Sequence, residues 1–162
     1  MARAIINSNS HPMEEAAHTV YLSLGTNLGD KEQNLLRAIM EIGKQAGAVV
    51  RRSAFHVTAP WGFDSSNTFL NACVCISTTL SPRRLLEVCQ SIERQMGRRH
   101  KTRDGQYHDR IIDIDILLYD HLTVAEPDLR IPHPLMRERE FVMLPLREIL
   151  EEDPLADSDE GE

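Results

Sequence analysis

Arg110-Ile111-Ile112-Asp113-Ile114-Asp115-Ile116-Leu117-Leu118-Tyr119 is a β-branched, aliphatic run with two carboxylates set into it. Successive side chains of a strand point to opposite faces, so Asp113 and Asp115 share one face while Ile112, Ile114, Ile116 and Leu118 share the other. The aliphatic set faces a core. The two acids stand about 6.5 to 7 Å apart at Cα, and like charges at that spacing on a half-buried face are costly unless cations compensate them. Two Mg²⁺ ions would do so, because hard oxygen ligands suit Mg²⁺ and a pair of such ions can clamp a transferring phosphoryl group. The competing reading is an edge strand that wears charge against aggregation.

Upstream, Arg94, Arg98, Arg99, Lys101, Arg103 and Arg110 stand against only Asp104 and Asp109, a local excess that wants a polyanion. The overall charge of −7 does not contradict this, because residues 151 to 162 hold seven acids and no Lys or Arg, leaving 18 acids against 18 bases elsewhere. Residues 98 to 109 have no apolar anchor but Tyr107, so that loop is expected to be mobile in the free protein and ordered by a nucleotide.

The rest of the chain reads as alternating elements. Thr19 to Leu24 alternates as a first strand. Gly25-Thr26-Asn27-Leu28-Gly29-Asp30 makes a tight turn that lacks the Lys of a P-loop and is read as structural, with Asp30 capping a helix to about Ala46. Ala48 to Val57 is a second strand, and Trp61 lies in the loop that follows. Phe69 to Thr78 is a third, with Ala72, Val74 and Ile76 on the core face and Phe69, Asn71, Cys73 and Cys75 opposite. Ser81-Pro82 starts a second long helix that stops at Gly97. A short helical stretch, Phe141 to Leu150, is interrupted by Pro145.

The order β-α-β-β-α-β predicts an α+β ferredoxin-like split βαβ fold, an antiparallel sheet with helices on one face and the active site on the other. With 162 residues and 41% hydrophobic content, a single domain over 18–150 is expected, between an N-terminal tail (1–17) and an acidic C-terminal tail (151–162). No apolar run of membrane-spanning length and no apolar leader is evident, so the expectation is a cytoplasmic protein with no membrane or nucleic-acid partner, acting as a monomer. Cys73, Cys75 and Cys89 lack metal-site spacing and read as buried thiols.

Several separated pieces together resemble the 6-hydroxymethyl-7,8-dihydropterin pyrophosphokinases of folate biosynthesis. These are Ser23-Leu24-Gly25-Thr26-Asn27-Leu28-Gly29-Asp30, Phe69-Leu70-Asn71-Ala72, Gly97-Arg98, the Arg110 to Leu117 run, Ile131-Pro132-His133-Pro134 and Arg139-Glu140-Phe141-Val142. The resemblance implies transfer of a pyrophosphoryl group from ATP, the co-substrate, to the hydroxymethyl oxygen of the reduced pterin alcohol, releasing AMP. It implies two Mg²⁺ ions on Asp113 and Asp115, and Arg98 and Arg110 neutralising the developing charge. Glu93, Ile116, His133 and Arg139 match positions near the nucleotide. For the pterin, Phe141 and Trp61 would sandwich the ring, and Asn71, Thr58 and the backbone near Ala59 and Pro60 would meet its polar edge, beside Phe69. The chain departs from the family at His100, Tyr107 and His108-Asp109.

Two rivals use the same topology. A nucleotidyltransferase palm also pairs aspartates on such a sheet and would bind template or primer. An RNA-recognition module would need aromatic and basic residues on its open face, where this chain, only 5% aromatic, carries acids.

Overall fold

Strand β1, His18–Thr26, runs through the middle of the sheet and is buried along almost its whole length. The chain is described by a computed structural model over residues 17–58, 68–97 and 111–150. Around β1 lie β2 (Ala48–Arg52), β3 (His56–Thr58), β4 (Phe69–Thr78) and β5 (Asp113–Tyr119), in the order β2-β4-β1-β5 with β3 also on β4. Every pairing is antiparallel. With the helices α1 (Lys31–Gln45) and α2 (Pro82–Gln95) in the crossovers, this is the expected split βαβ.

Both helices begin where the sequence places them. Asp30 accepts the Gln33 N–H at 3.2 Å, and Ser81 accepts the Arg84 N–H at 3.2 Å with Pro82 in the first turn. Their apolar stripes, Leu35, Ala38 and Ile42 on α1 and Leu85, Cys89 and Ile92 on α2, meet Val20, Leu22, Leu24, Ala72, Val74, Ile76, Ile114 and Ile116 in one core. The Gly25 to Asp30 turn is held by Asn34, whose amide donates to Thr26 Oγ1 (3.1 Å) and to the Leu28 carbonyl (2.8 Å). That internal bonding fits the structural reading of the turn.

Four local readings change. First, the strand expected over 48–57 is two strands. Ser53 interrupts it by accepting the Cys73 N–H on its hydroxyl (2.9 Å) and donating to the Ala54 carbonyl (2.7 Å), so a side chain replaces one rung of the ladder. Second, Leu118 does not share the face of Ile116. The register of β5 against β1 passes from Leu22↔Ile116 to Tyr21↔Leu118, leaving Leu117 unmatched, and this bulge swings Leu118 to the opposite face and Tyr119 into the helix-side core. Third, a hairpin, β6 (Val124–Glu126) and β7 (Leu129–Ile131), stands where only prolines drew attention, tied to α2 by Arg83 with Glu126 and Asp128. Fourth, α3 (Glu140–Ile149) is one helix with Pro145 inside it.

That last helix also occupies part of the sheet face opposite α1 and α2. Val142, Met143, Leu146 and Ile149 pack there with Met136 on Tyr21, Cys73, Cys75, Leu117 and Leu118. Their burial outweighs the one backbone bond that Pro145 gives up. Arg51 anchors the end of the helix, donating from Nε to the Ile149 carbonyl (2.8 Å) and from its guanidinium to the Tyr21 hydroxyl (2.8 Å). The part of that face outside this cluster is the end of the sheet that carries Asn71, Gly25 and Asp113. All three cysteines are buried thiols outside any disulfide, as their spacing suggested.

The α1–β2 connection leaves no room for a side chain at Gly47, where a Cβ would lie 2.3 Å from the Ser77 carbonyl oxygen. Backbone cannot yield as a flexible side chain can, so Gly47→Ala should lower stability by about 1–3 kcal/mol. Urea unfolding measures this, and a midpoint equal to wild type would contradict the packing described.

Candidate active site

Two rows of residues cross the strands of the open face. In the first, Gly25 on β1 stands between Asn71 on β4 and Asp113 on β5, with His56 on β3 beyond Asn71. In the second, Ser23 stands between Cys73 and Asp115. Neighbouring strands lie about 4.8 Å apart, so Asn71 and Asp113 are separated by roughly 10 Å across the sheet.

Gly25 makes that row possible. A Cβ there would sit 2.9 Å from Asn71 Oδ1 and 3.7 Å from the Phe69 ring. The missing side chain lets Asn71 and Phe69 lean over the central strand. Asn71 is 3% exposed and donates from Nδ2 to Thr58 Oγ1 at 2.6 Å. This fixes which way the amide faces, and the pairing of Thr58 with Phe69 brings Asn71, Phe69 and Thr58 together.

At the other end, Asp113 and Asp115 are both partly exposed. The Asp115 carboxyl is pushed well above the usual carboxylate range, first by desolvation, then by the Asp113 carboxylate beside it and by Glu93, with Arg139 pulling the other way. His133 lies below its ordinary value through burial and the Arg139 charge, opposed by Asp113. These mutual effects bring Asp113, Asp115, His133 and Arg139 into one electrostatic group. The buried Arg139 guanidinium also lies 5.7 Å from the centre of the Phe141 ring.

Glu93, buried on α2, accepts the Ile114 N–H at 2.7 Å. Ile114 sits between the two aspartates, so the bond fixes the edge strand that carries them. The Ile116 side chain lies in the helix-side core, 5% exposed, and offers a nucleotide nothing but main chain. Arg98, Arg110, Ala59, Pro60 and Trp61 lie outside the described residues, as do the loop 98 to 109 and both tails. Burial pushes the Cys73 and Cys89 thiols up to about 12, so they stay protonated and supply no nucleophile. Sequence reasoning missed Gly25 as a shaping residue, because a glycine in a turn motif reads as backbone freedom. Only the register shows what its missing side chain admits.

Among the described residues no three His, Cys, Asp or Glu side chains converge as a closed metal cage. Two adjacent carboxylates repelling each other in a desolvated site are nevertheless suitable donors for Mg²⁺, which takes one or two carboxylates and completes its shell with water and substrate phosphate.

Paired carboxylates with a His and an Arg at one end of an antiparallel α+β sheet are the kind of group that phosphoryl-transfer enzymes use. The family model described as 7,8-dihydro-6-hydroxymethylpterin-pyrophosphokinase (HPPK) matches residues 21–151, and the chain belongs to that family. It is 46% identical over 131 residues to the 2-amino-4-hydroxy-6-hydroxymethyldihydropteridine pyrophosphokinase of Porphyromonas gingivalis, covering 80% of this chain and 89% of that protein. With the enzyme of the same name from Bacillus subtilis it shares 39% over 133 residues, 82% of this chain and 78% of the other. Among solved structures, wild-type Plasmodium falciparum HPPK-DHPS superposes with a TM-score of 0.64 at 16% identity, covering 85% of this chain and 38% of that one. The chain thus spans under half of that longer protein, and the likeness at this identity bears on the fold alone.

A carboxyl whose ionisation is disfavoured on folding loses its proton first in the unfolded chain. Its charge therefore costs the native state at neutral pH, and the cost fades as pH falls through the raised folded value. Asp115→Asn should accordingly raise the melting temperature of the metal-free protein at neutral pH by about 2 °C or more, with the gain shrinking in acid. Scanning calorimetry in chelator tests this, and an unchanged or lowered midpoint at neutral pH would contradict the repulsion.

Proposed function

We propose that this chain transfers a pyrophosphoryl group from ATP to the hydroxymethyl oxygen of 6-hydroxymethyl-7,8-dihydropterin, with Asp113 and Asp115 as ligands of two Mg²⁺ ions. The observation that carries the reading is the placement of Asn71 and Asp113 on either side of Gly25 in one row. One end of the row offers an oriented amide for a flat polar heterocycle and the other offers paired carboxylates for metal-bound phosphate. The family shown above sets the reaction, and the row supports this reading of which residues meet each substrate.

In the reaction the pterin oxygen forms a bond to the β-phosphorus, the bond between that phosphorus and the α,β-bridging oxygen breaks, and AMP leaves. The hydroxyl proton is lost to solvent. Asp113 and Asp115 would hold Mg²⁺, which would neutralise charge on the triphosphate when bound. Asn71, held by Thr58, meets the polar edge of the pterin with both a donor and an acceptor available in its amide group. Phe141 and, from the sequence, Trp61 flank the ring beside Phe69, with the backbone near Ala59 and Pro60 completing the edge contacts. Arg139 and His133 stand toward the nucleotide, with Glu93 and the Ile116 main chain along the same strand edge. Arg98 and Arg110, assigned from the sequence, neutralise charge on the phosphates. No side chain is needed as a strong base, since positioning and fixed charge carry most of this chemistry.

We also propose a cytoplasmic monomer. Among the described residues no helix is long and apolar enough to cross a membrane. A template-dependent nucleotidyltransferase is the reading set aside, because the matched family is a pterin pyrophosphokinase; such an enzyme would release pyrophosphate from ATP.

The nucleotide released from ATP, Mg²⁺ and the reduced pterin alcohol decides between these reactions. AMP should appear in equal amount to the pterin diphosphate, followed by anion-exchange chromatography. Formation of ADP, or consumption of ATP that does not depend on the pterin, would overturn the assignment.

A further inference from the structure

The two walls of the proposed pterin slot belong to different parts of the chain. Thr58, which orients Asn71, comes from β3, a strand of only three residues. Phe141 comes from the start of α3, a helix laid across the sheet after the main topology is complete. Both walls rest on β4, β3 by pairing and α3 by packing, and what sets them directly against each other is a polar tie.

Glu148, near the far end of α3, joins them. Its Oε1 accepts the Ala54 N–H at 2.8 Å, just before β3, and its Oε2 lies 2.6 Å from His56 Nε2, on β3 itself. His56 stands directly opposite Asn71 on β4. One carboxylate therefore holds both the entry to β3 and the residue beside Asn71, and it is carried by the helix that brings Phe141. The Ala54 N–H first, then His56, keep the carboxyl below its usual range, so it is ionised at neutral pH. Arg51 anchors the neighbouring turn of α3 through the Ile149 carbonyl, but it does so from β2, on the other side of the break at Ser53. Glu148 is the tie that reaches β3.

We infer that Glu148 is a positioning residue for the pterin: it sets the distance between the strand that orients Asn71 and the helix that carries Phe141, without touching substrate. This rests on the pterin slot proposed above. Asp113 and Asp115 on β5 lie across β1 and β4 from this tie, whereas Arg139 is the nucleotide-side residue at the start of the helix it holds, so loosening it should weaken pterin binding more than ATP binding.

The test is steady-state kinetics on the full chain with each substrate varied in turn, using wild type, Glu148→Ala and Glu148→Gln. Glutamine keeps an oxygen for the Ala54 N–H and presents a donor to the imidazole, so it preserves the geometry without the charge. Glu148→Ala should raise the pterin KM by about 3- to 10-fold, the scale of a lost solvent-facing tie, with the ATP KM and kcat within about twofold of wild type. Glu148→Gln should restore the pterin KM. Equal rises in both KM values, a fall in kcat alone, no change, or failure of glutamine to rescue would each overturn the inference. Should Glu148→Ala fail to fold by circular dichroism, His56→Ala, which removes the partner of Oε2, takes its place: a raised pterin KM with the ATP KM near wild type upholds the tie, and unchanged or equally raised values overturn it. Wild type run alongside separates the two claims, because a wild type that makes no AMP sinks the function itself, whereas an active wild type with unaffected variants sinks only the role of Glu148.

Discussion

Two carboxylates on one face of one strand, partly withdrawn from water, cannot both carry charge comfortably without cations. The geometry of β5 makes Asp113 and Asp115 such a pair, and desolvation with mutual repulsion raises Asp115 far above an ordinary aspartate. Much of the surrounding structure supports that unfavourable arrangement. Glu93 holds the strand between the two acids through the Ile114 N–H, and Ile112, Ile114 and Ile116 bury the opposite face. Arg139, brought by the start of α3, provides part of the compensating charge. A natural fold keeps a local conflict of this kind where chemistry uses it.

The site also depends on an absence. Gly25 lies at the centre of the row from His56 to Asp113, and the space above it is shared by Asn71 and Phe69. A glycine at a strand end ordinarily weakens the strand, since it has no side chain to pack. Here the cost is offset by letting an amide and an aromatic ring approach the backbone, which forms the floor of the slot.

Much of this was legible in the sequence because the relevant signals are local. Asp30 and Ser81 mark the helix starts, and alternation alone puts Asn71 with Phe69 and Asp113 with Asp115. The failures have a common cause, a single residue whose effect depends on a distant partner. Ser53 breaks a strand only because Cys73 presents an N–H to its hydroxyl, and Leu117 is a bulge only relative to the register of β1. The hairpin at Val124–Glu126 and Leu129–Ile131 is too short to show a period. Pro145 suggested a broken helix, but tertiary burial of Val142, Met143, Leu146 and Ile149 overrides that local preference. Likewise no sequence pattern indicates that this helix would lie across the sheet face and share it with the site.

The central claim is that Asp113 and Asp115 jointly hold two divalent ions against the triphosphate. Anomalous diffraction from crystals grown with Mn²⁺, a nonhydrolysable ATP analogue and the reduced pterin alcohol tests it most directly. The account predicts two metal peaks about 3.5 to 4 Å apart, each within bonding distance of a carboxylate oxygen of Asp113 or Asp115. A single peak, or two peaks held by other side chains with these carboxylates turned away, would contradict it.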